Sequence, residues 1–166
     1  MSWYNNDGLL VKIGTEEATA GKAGSCEWDG PQSMVELVIN PLTGLTASAV
    51  IQSDVVALPA GAVIQEVHVI ADVAATSGGA ATLNVGLIKS DRSTNVSDTA
   101  VVNAMAITAI DAAGETNKLL VGSTGAGTSM GASVGTLPVL LTAKYGTAAF
   151  TAGKVTVRIF YVLNAA

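Results

Sequence analysis

The stretch that decides the fold is Ala49–Val73, AVIQSDVVALPAGAVIQEVHVIADV. It reads as two β-strands joined at Leu58-Pro59-Ala60-Gly61, because Pro and Gly punctuate strands and neither sits well inside one. From Val63 to Val73 the side chains divide by parity. Val63, Val67, Val69 and Val73 fall on one side, and Ile64, Glu66, His68, Ile70 and Asp72 on the other. Successive strand residues point to opposite faces, so the segment has a dry valine face and a mixed one. A strand of this kind needs other strands over its apolar face, which makes it the expected centre of a β-sandwich.

Working outward, further segments carry the same period. Met34–Ile39 alternates with Val35, Leu37 and Ile39 on one parity and stops at Asn40-Pro41. Ala81–Lys89 places Leu83, Val85 and Leu87 inward and Thr82, Asn84, Gly86 and Ile88 outward. Lys118–Val121, Leu137–Lys144 and Lys154–Leu163 complete the set, the last with Val155, Val157, Ile159, Tyr161 and Leu163 on one face. Seven to eight short strands separated by Gly and Pro turns predict an all-β chain, a β-sandwich of jelly-roll type. One helical insertion is expected at Asp98–Ala113, with Asp98 as N-cap, Gly114 beyond the C-terminus, and Val101, Met105 and Ala109 near helical spacing. Gly122–Gly135 (GSTGAGTSMGASVG) is expected to be a flexible surface loop that orders against a neighbour. It lacks the Gly-Lys-[Ser/Thr] ending of a phosphate-binding loop.

Residues 1–33 differ in texture from residues 34–166 and are read as an extended N-terminal arm preceding the sandwich. Both tryptophans of the chain, Trp3 and Trp28, lie in the arm together with Tyr4, between frequent glycines. Aromatic residues on an irregular segment suit anchoring in pockets of another molecule; the alternative is that they fold back onto this chain's own core.

The composition narrows the function classes. Charged residues make up 13% of 166 residues, aromatics 4%, and mean hydropathy is +0.49. Ordinary domains carry about 25% charged residues, so much of this surface is expected to be covered by partners. The net charge is −5 and the eight Lys and Arg are scattered, which argues against nucleic-acid binding. No apolar run reaches the roughly 18 residues of a membrane helix, and the opening residues have no secretory pattern. A single cysteine, Cys26, excludes an internal disulfide and a paired-cysteine metal site.

Chemistry is sparse. His68 is the one histidine; with Glu66 and Asp72 on its own strand face it supplies the only candidate metal set, short of the closed geometry such sites use. Otherwise it is a strand-face or interface residue. A Cys26–His68 nucleophile pair has no supporting pattern, and no G-x-S-x-G elbow occurs. The reading is a non-enzymatic protein without cofactors.

The run Ser2-Trp3-Tyr4-Asn5-Asn6-Asp7-Gly8-Leu9-Leu10-Val11-Lys12-Ile13-Gly14-Thr15-Glu16 resembles the opening of a family of tailed-bacteriophage virion structural proteins, the capsid decoration or cement proteins. Leu58-Pro59-Ala60-Gly61-Ala62, Ala81–Leu87, Asp91-Arg92-Ser93-Thr94 and Ala109–Glu115 are similar to later pieces of the same family, in the same order. The chain departs from that pattern at Ile13, where the family tends to have Phe, and in the segment around Cys26 and Trp28. The resemblance implies a protein of the outer capsid surface of the virion, made in the host cytoplasm. It implies the major capsid protein as partner, self-association as a homotrimer, and contact with neither nucleic acid nor membrane. Contact residues are then expected at Trp3, Tyr4, Asn5, Asn6, Leu9, Val11, Trp28 and His68. The alternative is a head-fibre, tail or host-adsorption protein with a carbohydrate-binding sandwich.

Overall fold

A computed structural model describes residues 2–4, 10–12, 32–53 and 57–163. The chain divides into two units, Met1–Gly30 and Pro31–Ala166. In the first, β1 (Ser2–Tyr4) pairs antiparallel with β2 (Leu10–Lys12), setting Trp3 opposite Val11 and Tyr4 opposite Leu10.

Among the described residues, the second unit holds eight strands: β3 (Ser33–Ile39), β4 (Val50–Ile51), β5 (Ala62–Ser77), β6 (Thr82–Lys89), β7 (Asn95–Ala106), β8 (Thr116–Leu120), β9 (Val139–Gly146) and β10 (Phe150–Leu163). They form two four-stranded antiparallel sheets, ordered β3-β10-β5-β8 and β4-β9-β6-β7. The pairings nest: β3 with β10, β4 with β9, β5 with β8, β6 with β7. One long folded-over ribbon has wrapped into two facing sheets, which is the jelly roll.

The core lies between the sheets. Val67, Val69, Val155, Val157 and Ile159 of the first sheet meet Leu83, Val85, Leu87, Val139 and Leu141 of the second, all buried. This is the alternation expected of strands with one dry face. β5 is an interior strand paired on both sides, as its valine content requires.

Three expectations need correction. First, the strands flanking Leu58–Gly61 do not pair with each other. β4 joins β9 in one sheet and β5 joins β10 and β8 in the other, so the Pro-Gly segment is a crossing between sheets. Second, the valine face is not continuous. Register shifts against β10 fall beside Gln65 and Asp72, and a bulge reverses which parity faces inward. Hence Ile64 is buried while Val63 is only half-buried and Val73 is 51% exposed.

Third, Asp98–Ala113 is no helix. Its first part belongs to β7, and only Ile107–Ala109 forms a short 3₁₀ turn. Leu83 faces Met105 and Val85 faces Val102, so three steps along β7 match two along β6. At this bulge Ala104 takes φ +50° and its N–H donates to the Asn84 side-chain oxygen at 2.8 Å. The extra residue places Val101, Val102 and Met105 in the core, and that spacing imitates a helical stripe. It also buries Asn84, expected outside, as the acceptor that the bulge needs.

The glycine-rich segment orders against its own chain. Gly127 N–H donates to Val101 O, Thr128 to Thr99 O and Ser129 to Ala100 O, covering the outer edge of β7. Farther on, Gly131 N–H donates to Ile64 O and Val134 N–H to Ala62 O, extending the edge of β5. The loop thereby ties both sheets together and hides backbone that an open edge would expose.

Candidate functional site

The described residues that the resemblance pointed to lie in two places. Trp3, Tyr4 and Val11 fall on the short β1–β2 ladder, and His68 lies on the outer face of the β3-β10-β5-β8 sheet. Asn5, Asn6, Leu9 and Trp28 lie outside the described residues, as does Cys26.

Strand register makes the outer face around His68 a grid. Across the sheet, one row runs Met34, Phe160, Glu66, Leu120; the next runs Glu36, Arg158, His68, Lys118; the third runs Val38, Thr156, Ile70, Thr116. Glu66 Oε1 accepts from Lys118 Nζ at 2.8 Å and also meets His68 Nε2. The Lys118 hydrogen bond first, and the His68 bond second, hold the Glu66 carboxyl below its usual range. On the other side, Arg158 Nε donates to Glu36 Oε2 at 2.8 Å. The His68 ring stacks obliquely on Phe160 with centroids 5.0 Å apart. Met34, Leu120 and Val38 are about half exposed at 52%, 48% and 47%.

The charged side chains of this grid are paired with one another, Glu66 with Lys118 and His68, and Glu36 with Arg158. A carboxylate held ionised by two donors is a poor proton acceptor. Asp72, the third residue of the candidate metal set, is engaged elsewhere: it accepts from Thr156 Oγ1 at 2.7 Å and lies 3.6 Å from Lys154. Among the described residues no group of three or more His, Cys, Asp or Glu side chains could hold a metal ion. No helix among them is long and apolar enough to cross a membrane.

The opposite sheet carries an open hollow of about 380 Å³ on its outer face, between Ala49, Ile51, Ile88, Asn95, Asp98 and Thr142. Asp98, expected as a helix cap, is instead the polar centre of this wall. Its carboxylate accepts from Lys144 Nζ at 2.7 Å and from Asn95 Nδ2 at 2.7 Å, and the Lys144 bond lowers its pKa most. At the floor the Thr142 hydroxyl is buried without a hydrogen-bond partner among the described residues. Gly86 makes this wall possible: a Cβ there would sit 2.6 Å from Asp98 Cα, so only glycine lets β7 cross so closely.

Sequence reasoning reaches His68 and its strand neighbour Glu66. It does not reach Glu36, Lys118, Arg158 or Phe160, because their proximity depends on strand register between segments far apart in sequence. Lone charges on alternating strands are the only available signal.

The fold thus defines a class, the eight-stranded antiparallel jelly roll. No protein-family model matches the chain, and no curated protein matches it. Among solved structures it is similar to a chain from the capsid of Ralstonia phage GP4, with a TM-score of 0.53 and 17% identity over 84% of this chain and 89% of that one. At that identity the likeness is one of fold. Two weaker likenesses, too low in TM-score to carry an argument, are to a chain of the cyanophage Pam1 capsid asymmetric unit (0.46, 21% identity, 88% and 99% covered) and to one of the acidic stable capsid structure of Helicobacter pylori bacteriophage KHP30 (0.46, 14% identity, 82% and 91% covered).

Proposed function

We propose that this chain is a structural protein of a phage head, a capsid decoration or cement protein. It binds the outer surface of the shell formed by the major capsid protein and stabilises that shell by bridging neighbouring subunits. The observation that carries the reading is the jelly roll itself, similar along most of its length to a chain from the capsid of Ralstonia phage GP4. The opening W-Y-N-N-D-G-L motif supports it independently, as does the low charge of the chain.

The mechanism is mechanical, with no chemical step. The sandwich is a rigid body whose core is sealed at one edge by the glycine-rich loop. Residues 1–33 act as an arm, with Trp3, Tyr4 and Trp28 as anchors on the shell. Copies cluster as homotrimers, and many weak contacts repeated around a shell add up to firm attachment. The protein touches neither the packaged nucleic acid nor a membrane.

Binding of the purified chain to expanded shells that lack it tests the reading. Saturation at one copy per shell subunit, or at a simple fraction of that number, is the expected result. Shells that bind none of it, or gain no resistance to heat or chelators on binding it, would contradict the reading.

A further inference from the structure

The hollow on the outer face of the β4-β9-β6-β7 sheet sets a few polar groups beside an aliphatic wall. Register places Thr142 of β9 between Ile51 of β4 and Gly86 of β6, in one row across the sheet. Asp98 of β7 comes next, since a Cβ on Gly86 would sit 2.6 Å from its Cα. The glycine thus leaves no side chain between Thr142 and Asp98. Ile88 and Asn95 are paired in the neighbouring row. Ile51, Ile88, Asn95, Asp98 and Thr142 all line the hollow.

Its hydrogen-bonding capacity is only partly filled. The Thr142 hydroxyl, in a residue 2% exposed, has no partner among the described residues. A buried hydroxyl without a partner is costly, so a ligand atom that reaches it is favoured. The Asp98 carboxylate has about four acceptor positions, and Lys144 and Asn95 fill one each. Lys144 also balances its charge, and Asp98 is the one charged side chain among the described lining residues. An anion would meet the Asp98 carboxylate, and a cation would find Lys144 already in place. A neutral hydroxyl group suits both partners, because it donates to Asp98 and either donates to or accepts from Thr142.

We propose that this hollow is a binding site for one neutral sugar unit. The sugar hydroxyls donate to Asp98 and pair with Thr142, and a C–H face of the ring lies against Ile51 and Ile88. At about 380 Å³ the hollow is at the small end of ligand pockets, which suits a single ring at the end of a glycan. No aromatic side chain lines it among the described residues, so stacking adds nothing and the dissociation constant is about 1–10 mM. Contact with a glycan-bearing surface gains strength where many copies sit side by side. The site does not rest on the phage-head reading and is measured without any particle.

The test is an amide NMR titration of the full purified chain with glucose, galactose, mannose and N-acetylglucosamine, each to about 50 mM. Glucuronate serves as the charged counterpart and glycerol as a small polyol. At least one neutral sugar should give saturable shifts at Ala49, Ile51, Ile88, Asn95, Asp98 and Thr142, with glucuronate and glycerol clearly weaker. Thr142→Val removes the hydroxyl and keeps the shape of the side chain. It should weaken binding of that sugar at least about threefold, while the melting temperature stays level or rises because an unpaired buried hydroxyl is gone. Asp98→Asn, with folding checked by its amide spectrum, should weaken binding at least about tenfold, since hydrogen bonds to charged groups are the stronger ones. No saturable shift with any neutral sugar, shifts confined to other parts of the chain, or equal binding of glucuronate or glycerol would overturn the proposal. So would a Thr142→Val chain that binds as the native one does. A lower melting temperature for that variant would show the hydroxyl already partnered within the chain, and would overturn it too. Shifts at the same amides that grow with protein concentration in the absence of sugar would show a second copy seated in the hollow, with the same consequence.

Discussion

Gly127 lies so close to Ala100 that a Cβ on the glycine would sit 2.1 Å from the Ala100 carbonyl oxygen. The approach is backbone on backbone, and the Gly127 N–H donates to Val101 O at 3.1 Å in the same contact. Replacing Gly127 with Ala should therefore push the glycine-rich loop off β7. The expected cost is about 2 kcal/mol or more in a urea unfolding experiment, in the range of overpacked cores. Gly122→Ala is a different probe, since that Cβ meets open space and the penalty comes from its φ of +82° alone.

The bulges in β5 assign unequal weights to two valines that look alike in sequence. Val69 is fully buried and Val73 is 51% exposed. Val69→Ala should destabilise the fold by about 2 kcal/mol through lost burial and a residual cavity, whereas Val73→Ala should change it by less than about 0.5 kcal/mol. Equal costs in chemical denaturation would mean that β5 keeps one parity throughout.

Asp91 closes the turn between β6 and β7. Its carboxylate accepts from Thr94 Oγ1 at 2.6 Å and from the N–H groups of Thr94 and Ser93 at 2.8 and 2.9 Å. These bonds, the Thr94 hydroxyl foremost, lower its pKa from 3.8 to about 2. A carboxyl with a depressed folded pKa adds stability above its unfolded value and loses it as pH falls through the folded one. Stability should thus decline between pH 3.8 and about 2, and Asp91→Asn should flatten that part of the curve. Glu66, held low by Lys118 and His68, contributes in the same direction as pH falls below 4.5.

Removing residues 2–14 takes away the first part of the arm, with Trp3 and Tyr4. The division between the two units of the chain falls after Gly30, so the truncated protein should keep the thermal unfolding transition of the jelly roll. It should bind expanded shells at least about tenfold more weakly, as expected when one of two linked contacts is lost. A truncated chain that fails to fold would show that the first residues are part of the core.

How much of this is legible in the sequence follows from where period two survives. β6 and the middle of β10 keep alternation, and Leu83, Val85, Leu87, Val155, Val157 and Ile159 lie inward as that alternation predicts, whereas Leu163, expected on the same face, is 60% exposed beyond a register shift at Phe160/Tyr161. The central place of β5 is legible from its valines, but its bulges are invisible because a bulge is defined by the partner strand. β7 reads as a helix for the same reason: one inserted residue turns alternation into a spacing of one and three among Val101, Val102 and Met105. The sheet-to-sheet crossing at Leu58–Gly61 looks identical to a hairpin turn when only local residues are considered. The outer-face grid escapes because Glu36, Arg158, His68 and Lys118 are brought into one row by three separate strand pairings.

The most direct measurement is a cryo-electron microscopy map of the particle that carries this protein. The expected result is density for the jelly roll on the outside of the head shell, at positions that straddle two or more shell subunits, with the N-terminal arm reaching onto the shell around Trp3 and Tyr4. Density confined to the tail, to a fibre or to the inner face of the shell would contradict a cement role.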